Sequence, residues 1–208
     1  MAGLFLASVG LAAALAGPPP LRDDEPLPWP RAPELARSPV ELLPAFRVSL
    51  PLCTGASVRD PCAALGPALG GELATLYRPT PYFAFGASAS YSVARGSLSG
   101  APLAAKTLAL GVSARVYLLE SGELDPYLEA LLGWGSLTTT LAPPGGPGHD
   151  DSAFGPLGRT GGGIDWMVSP RLKLGATAGL AVLLLEQRPV STSLTAGLEV
   201  GVLLGDSL

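Results

Sequence analysis

The charged residues of this chain are few, and they keep to one side of a two-residue period. Glu72, Arg115, Glu129, Arg159, Asp165, Lys173 and Glu199 each fall on the parity opposite the leucines, valines and alanines of their own segments, with Arg47 and Arg78 near segment ends. Both signs occur in similar number. Lone charges in a narrow, low-dielectric space are costly, so residues arranged this way are expected to pair and hydrogen-bond with one another. Three uses fit such a network: a plug that fixes strand register, the lining of a gated narrow pore, or a polar ligand site. Catalytic chemistry finds less support. The single histidine, His149, precedes Asp150 and Asp151 in a Gly- and Pro-rich stretch. A general base must be held within hydrogen-bond reach of its nucleophile, and nothing in that stretch would hold it. A metal would want more ligands than these. Gly161-Gly162-Gly163 lacks the Lys-Ser/Thr and the strand-to-helix context of a phosphate loop. The chain is therefore read as a non-enzyme, with no catalytic residues, no cofactor and no metal.

The elements that carry these charges are strands. In Phe83–Val93 one parity holds Phe83, Phe85, Ala87, Ala89, Tyr91 and Val93, and the other Ala84, Gly86, Ser88, Ser90 and Ser92. That alternation is a β-strand with one apolar and one small-or-polar face. The same pattern sets Leu108, Leu110, Val112, Ala114, Val116 and Leu118 against Thr107, Gly111, Ser113 and Arg115. It recurs with Leu172, Leu174, Ala176, Ala178, Leu180 and Val182 against Lys173, Gly175 and Thr177, and with Leu194, Ala196, Leu198, Val200 and Val202 against Thr195, Gly197 and Glu199. Eight segments are expected, near 45–50, 69–78, 82–94, 106–119, 127–140, 157–168, 171–184 and 193–204. The first is bracketed by Pro44 and Pro51.

Composition places these strands. The 208 residues are 48% hydrophobic and only 14% charged, with a mean hydropathy of +0.38 and a net charge of −4. A soluble domain usually carries about 25% charged residues. No internal apolar run is long enough for a membrane-crossing helix. Much apolar content without long apolar runs is the mark of membrane strands, apolar outward and polar inward. The 27 glycines suit the crowded interior of a narrow barrel. With no basic tract, nucleic acid is not an expected partner. Residues 1–16 read as a signal peptide, with Leu4, Phe5, Leu6, Val9, Leu11 and Leu15 as its apolar region and Ala14-Leu15-Ala16 as its cleavage site. No Lys or Arg precedes that region, so the expectation is a start further upstream or a weak signal. Residues 17–44 contain Pro18, Pro19, Pro20, Pro26, Pro28, Pro30, Pro33, Pro39 and Pro44. They are expected to form a disordered linker that builds no core. Residues 45–208 are the expected barrel. In an exported protein, Cys53 and Cys62 are expected to close a small disulfide loop.

Connection lengths suggest an orientation. Three connections read as tight (79–81, 121–126, 169–170) and four as longer (51–67, 96–104, 141–155, 186–191). Outer-membrane barrels have short periplasmic turns and longer outer loops, and an even number of strands removes open edges. Tyr77, Tyr82, Phe83, Tyr117, Tyr127 and Trp166 cluster near the tight turns, as an interfacial aromatic girdle would. Arg115-Val116-Tyr117-Leu118-Leu119-Glu120 with Asp125-Pro126-Tyr127-Leu128-Glu129, and Gly161 through Leu172, resemble strand–turn–strand units of the bacterial outer membrane protein beta-barrel domain group, similar in architecture to OmpA/OmpX-type barrels. The resemblance covers about 45–208. It implies an all-β, eight-stranded antiparallel transmembrane β-barrel in the bacterial outer membrane, in contact with lipid and inserted by the barrel-assembly machinery, with no single activity attached. Barrels of this group often end in an aromatic residue, whereas this sequence ends Gly205-Asp206-Ser207-Leu208. The expected role is structural or surface-interacting, in a monomer whose lumen is filled by ion pairs and whose protein partner, at the surface or in the periplasm, is not specified. The alternatives are a narrow channel for small polar solutes and a soluble lipocalin-like lipid carrier. The carrier would require every strand to be inverted.

Overall fold

The computed structural model describes residues 40–52, 64–119, 123–142, 148–186 and 190–204. Eight antiparallel strands follow one another in chain order: β1 (Val40–Leu52), β2 (Ala68–Thr80), β3 (Phe83–Leu98), β4 (Ala101–Tyr117), β5 (Leu124–Leu141), β6 (His149–Ser169), β7 (Leu172–Leu183) and β8 (Ser191–Leu204). Each pairs with its neighbour, and β1 pairs with β8 to close the barrel. No sheet edge is left open, the condition for strands to cross a bilayer. The signal-peptide region, almost all of the expected linker and both cysteines, Cys53 and Cys62, lie outside the described residues.

The parity of each strand decides its faces. Leu69, Leu73, Leu110, Val112, Leu128, Leu132, Leu194 and Leu198 all point outward and are exposed, Leu132 by 73%. The charged parity points in: Arg115 is 1% and Lys173 2% exposed. A soluble carrier would show the reverse, so the wall is that of a transmembrane barrel. Tyr77, Tyr82, Phe83 and Trp166 lie exposed at the end that carries Val40 and Leu204, here called the inner end. Tyr91, Trp134 and Phe154 are exposed nearer the other, outer end. Trp166 and Phe154 lie on one face of β6, twelve residues apart. At about 3.3 Å per residue and a tilt of about 45°, that separates the two aromatic levels by roughly 28 Å, close to the height of an outer-membrane apolar band.

Four expectations are corrected. First, β1 starts at Val40 rather than near Ala45, so Pro44 and Pro51 lie within it. The β1–β8 ladder skips Leu43 and Pro44, and the missing proline donor is accommodated there. Second, 96–104 is not a long loop. β3 and β4 run on to a two-residue turn in which Ser99 and Gly100 both have positive φ (50° and 82°). That is the geometry of the turn whose twist matches a hairpin. Third, β5 begins at Leu124, so Asp125 and Pro126 belong to a strand and not to the turn before it. Fourth, β6 begins at His149, which shortens the expected 141–155 loop; Leu141 pairs with His149. A membrane strand needs only about 9–11 residues. The 16 to 21 residues of β3 to β6 therefore carry that side of the barrel beyond the bilayer at its outer end.

Candidate functional site

Inward-facing parity brings charges from seven of the eight strands, all but β3, into the inner half of the lumen. Three linked clusters result. Nearest the inner end, Lys173 Nζ donates to Glu41 Oε2 at 2.7 Å and to Asp165 Oδ2 at 2.6 Å. Tyr117 Oη donates to the same Glu41 carboxylate at 3.3 Å. Arg78 lies 3.5 Å over the Tyr117 ring and donates to Asp125 Oδ2 at 3.2 Å and to the Pro81 carbonyl. In the middle, Arg115 grips Glu199 with two parallel bonds of 2.6 and 2.8 Å, and its Nε donates to Glu129 at 2.9 Å. Tyr127 packs its ring against that guanidinium, 4.3 Å from centroid to carbon, and donates to Glu199 at 3.2 Å. Furthest out, Arg159 donates to Glu72 at 2.7 Å and to Glu129 at 2.6 Å, and Arg47 Nε lies 2.6 Å from Glu72. Paired forks of this kind are the strong form of the ion pair.

The register explains how so many long side chains fit. Arg47 has Gly70 and Gly197 as its cross-strand neighbours, Glu129 has Gly161, and Lys173 has Gly201. Gly175 lies between Asp165 and Glu199. A Cβ on Gly175 would come within 2.5 Å of Asp165 Oδ1 and 2.7 Å of Glu199 Cγ. Arg47, Glu129, Asp165, Lys173 and Glu199 thus each lie beside a bare backbone on a neighbouring strand, whereas Arg115 lies between Ala84 and Glu129.

All eight of the charges singled out from sequence, Arg47, Glu72, Arg115, Glu129, Arg159, Asp165, Lys173 and Glu199, stand in this lumen, buried except for the half-buried Arg159. Two members escape the sequence reading of the lumen's charges, and two rings belong to a different layer from the one expected. The sequence places Glu41 in the linker and Asp125 in a turn, because prolines stand near both. It places Tyr117 and Tyr127 in the lipid-facing girdle near the tight turns, yet they are 1% and 2% exposed and face inward. The signal was present: Tyr117 shares parity with Arg115, and Tyr127 with Glu129.

Among the described residues, the outer half of the lumen is not filled by side chains. Above Arg47, Glu72 and Arg159 lies a cavity of about 650 Å³. Its lower wall is hydroxylated by Ser49, Ser90, Ser92, Thr107, Ser193 and Thr195, and its upper wall is apolar, with Leu103, Leu137, Leu157, Leu183 and Leu185. His149 and Asp151 line its rim. No cluster of metal-ligating side chains occurs among the described residues.

No family model matches the chain, and no curated protein matches it. Solved structures do. Neisserial surface protein A is similar over 80% of this chain and 98% of its own, at 17% identity and a TM-score of 0.54. Ail, the attachment invasion locus protein of Yersinia pestis, solved in complex with the heparin analogue sucrose octasulfate, is similar over 78% of this chain and 96% of its own, at 15% identity and a TM-score of 0.53. The shared feature is the fold, an eight-stranded antiparallel barrel of the kind found in small bacterial outer-membrane proteins.

Proposed function

We propose that this chain is a non-enzymatic outer-membrane barrel with a structural or surface-interaction role, closed to solute flow by its ion pairs. The observation that carries the reading is continuity. From Arg78 and Asp125 through Lys173, Arg115 and Glu199 to Arg159 and Glu72, charged partners fill the inner half of the tube, whereas a pore would keep water there. The barrel contacts lipid through its leucine wall, is inserted by the barrel-assembly machinery and acts as a monomer. Its inner end faces the periplasm and its outer end the cell surface, where the β3–β4 and β5–β6 hairpins project toward other molecules. Ail was solved with a polyanion, but the outer end here carries Asp150, Asp151 and Glu186 together with Arg95 and Lys106 among its described residues. A surface of mixed sign offers a heparin-like polyanion no concentrated basic patch. Planar-bilayer recording of the folded monomer tests closure. The expected result is no large steady conductance; a stable open level would favour the channel for small polar solutes instead.

A further inference from the structure

Lumen walls of aqueous outer-membrane barrels are polar. In this barrel the inward parity changes character along its length, from ion pairs through hydroxyls to leucines. Leu103, Leu183 and Leu185 are buried in the upper wall, and Leu137 and Leu157 pack against the last two. The collar has room made for it. A Cβ on Gly135 would come within 2.9 Å of Leu183 Cδ1, so the leucine lies against a backbone with no side chain. The cavity's volume of about 650 Å³ lies within the range of small-molecule sites. Its floor is balanced, with Arg47 and Arg159 already engaged by Glu72 and Glu129. A charged head group would have to break one of these pairs to find a partner. An uncharged head group would find the hydroxyls of Ser90, Ser92, Thr107 and Thr195 on the wall above.

We infer that the outer half of the lumen is a binding cup for a small uncharged amphiphile, its hydroxyl or ether end among the serines and threonines and its apolar end in the leucine collar. The cup rests on the closed floor of the proposed function, but binding and conductance are read separately, so the failure of one is not mistaken for the failure of the other. The test is NMR of leucine-methyl-labelled protein in deuterated-lipid nanodiscs, titrated with 1-decanol, decanoate or decyltrimethylammonium. Saturable shifts with 1-decanol are expected at Leu103, Leu137, Leu157 and Leu183, while the lipid-facing Leu110 and Leu132 drift without saturation. The charged analogues should bind at least tenfold more weakly. Ala105→Trp, which fills the cup, should abolish saturation while the barrel keeps its heat-modifiable gel migration. Should that variant not fold, Leu137→Gln, which makes the collar polar, should weaken 1-decanol binding at least fivefold. Inward and outward leucines behaving alike would overturn the site. Saturation by decanoate or decyltrimethylammonium in preference to 1-decanol would overturn the ligand class.

Discussion

At the scale of single residues, Arg115 is the hub of the lumen. It holds Glu199 through a fork and Glu129 through Nε, and it is shielded from water by Tyr127. Removing one partner of a buried pair leaves the other charge without compensation, typically at a cost of about 3–5 kcal/mol. Arg115→Ala leaves Glu199 with only the Tyr127 hydroxyl, while Glu129 keeps Arg159, and is expected to cost about that much, measured by urea unfolding of the lipid-reconstituted barrel. Arg115→Met combined with Glu199→Leu removes both ends of the fork, and the double variant should be more stable than Arg115→Ala. A double variant as unstable as the single one would show that packing, and not charge compensation, sets the cost. The charged positions were legible in the sequence because ionic side chains break an apolar alternation sharply. Tyr117 and Tyr127 were misplaced for a physical reason: a tyrosine suits an interface and a polar lumen equally well, and only its parity with Arg115 and Glu129 separates the two.

At the scale of elements, the glycines determine where a charge fits. Gly175 faces Asp165 on one side and Glu199 on the other, and neither carboxylate has room to retreat from a methyl group. Gly175→Ala is expected to destabilise the barrel by about 1–3 kcal/mol, the usual range for overpacking. Gly148→Ala, where a Cβ would meet nothing closer than 3.8 Å, should change little. The β3–β4 turn offers the opposite case. Ser99 sits at a φ of 50°, where asparagine is at home and serine is less so. Ser99→Asn should raise stability, by less than about 1 kcal/mol. Strand identity and facing were readable from the two-residue period, but strand ends were not. Pro44 and Pro126 read as breakers, although a barrel tolerates proline where a ladder bond can be left out. Gly96 and Gly100 read as a loop, although only Gly100 turns the chain, and the backbone at Gly96 lies flat against that at Ala64.

At the scale of the whole molecule, one inversion decides between a membrane wall and a soluble shell. The exterior of β5 presents Leu128, Leu132 and Trp134 to the surroundings, while Tyr127, Glu129 and Leu131 on the same strand are buried. Lipid tails accept that exterior; water would drive such a surface to aggregate. A charge placed at mid-wall therefore reports what surrounds it. Leu132→Arg should cost about 2–4 kcal/mol in lipid, the penalty for a cation near the bilayer midplane, and less as the same change is moved toward either aromatic level. In a soluble shell the substitution would be neutral or would improve solubility. The series Leu132→Arg, Leu128→Arg and Leu124→Arg along one face of β5 thus reads depth directly. Similar costs at Leu132 and Leu128, which flank the mid-level residue Ala130, and a smaller cost at Leu124 place Trp166 and Tyr82 at the interface, whereas equal values at all three positions would remove the bilayer from the description of this fold.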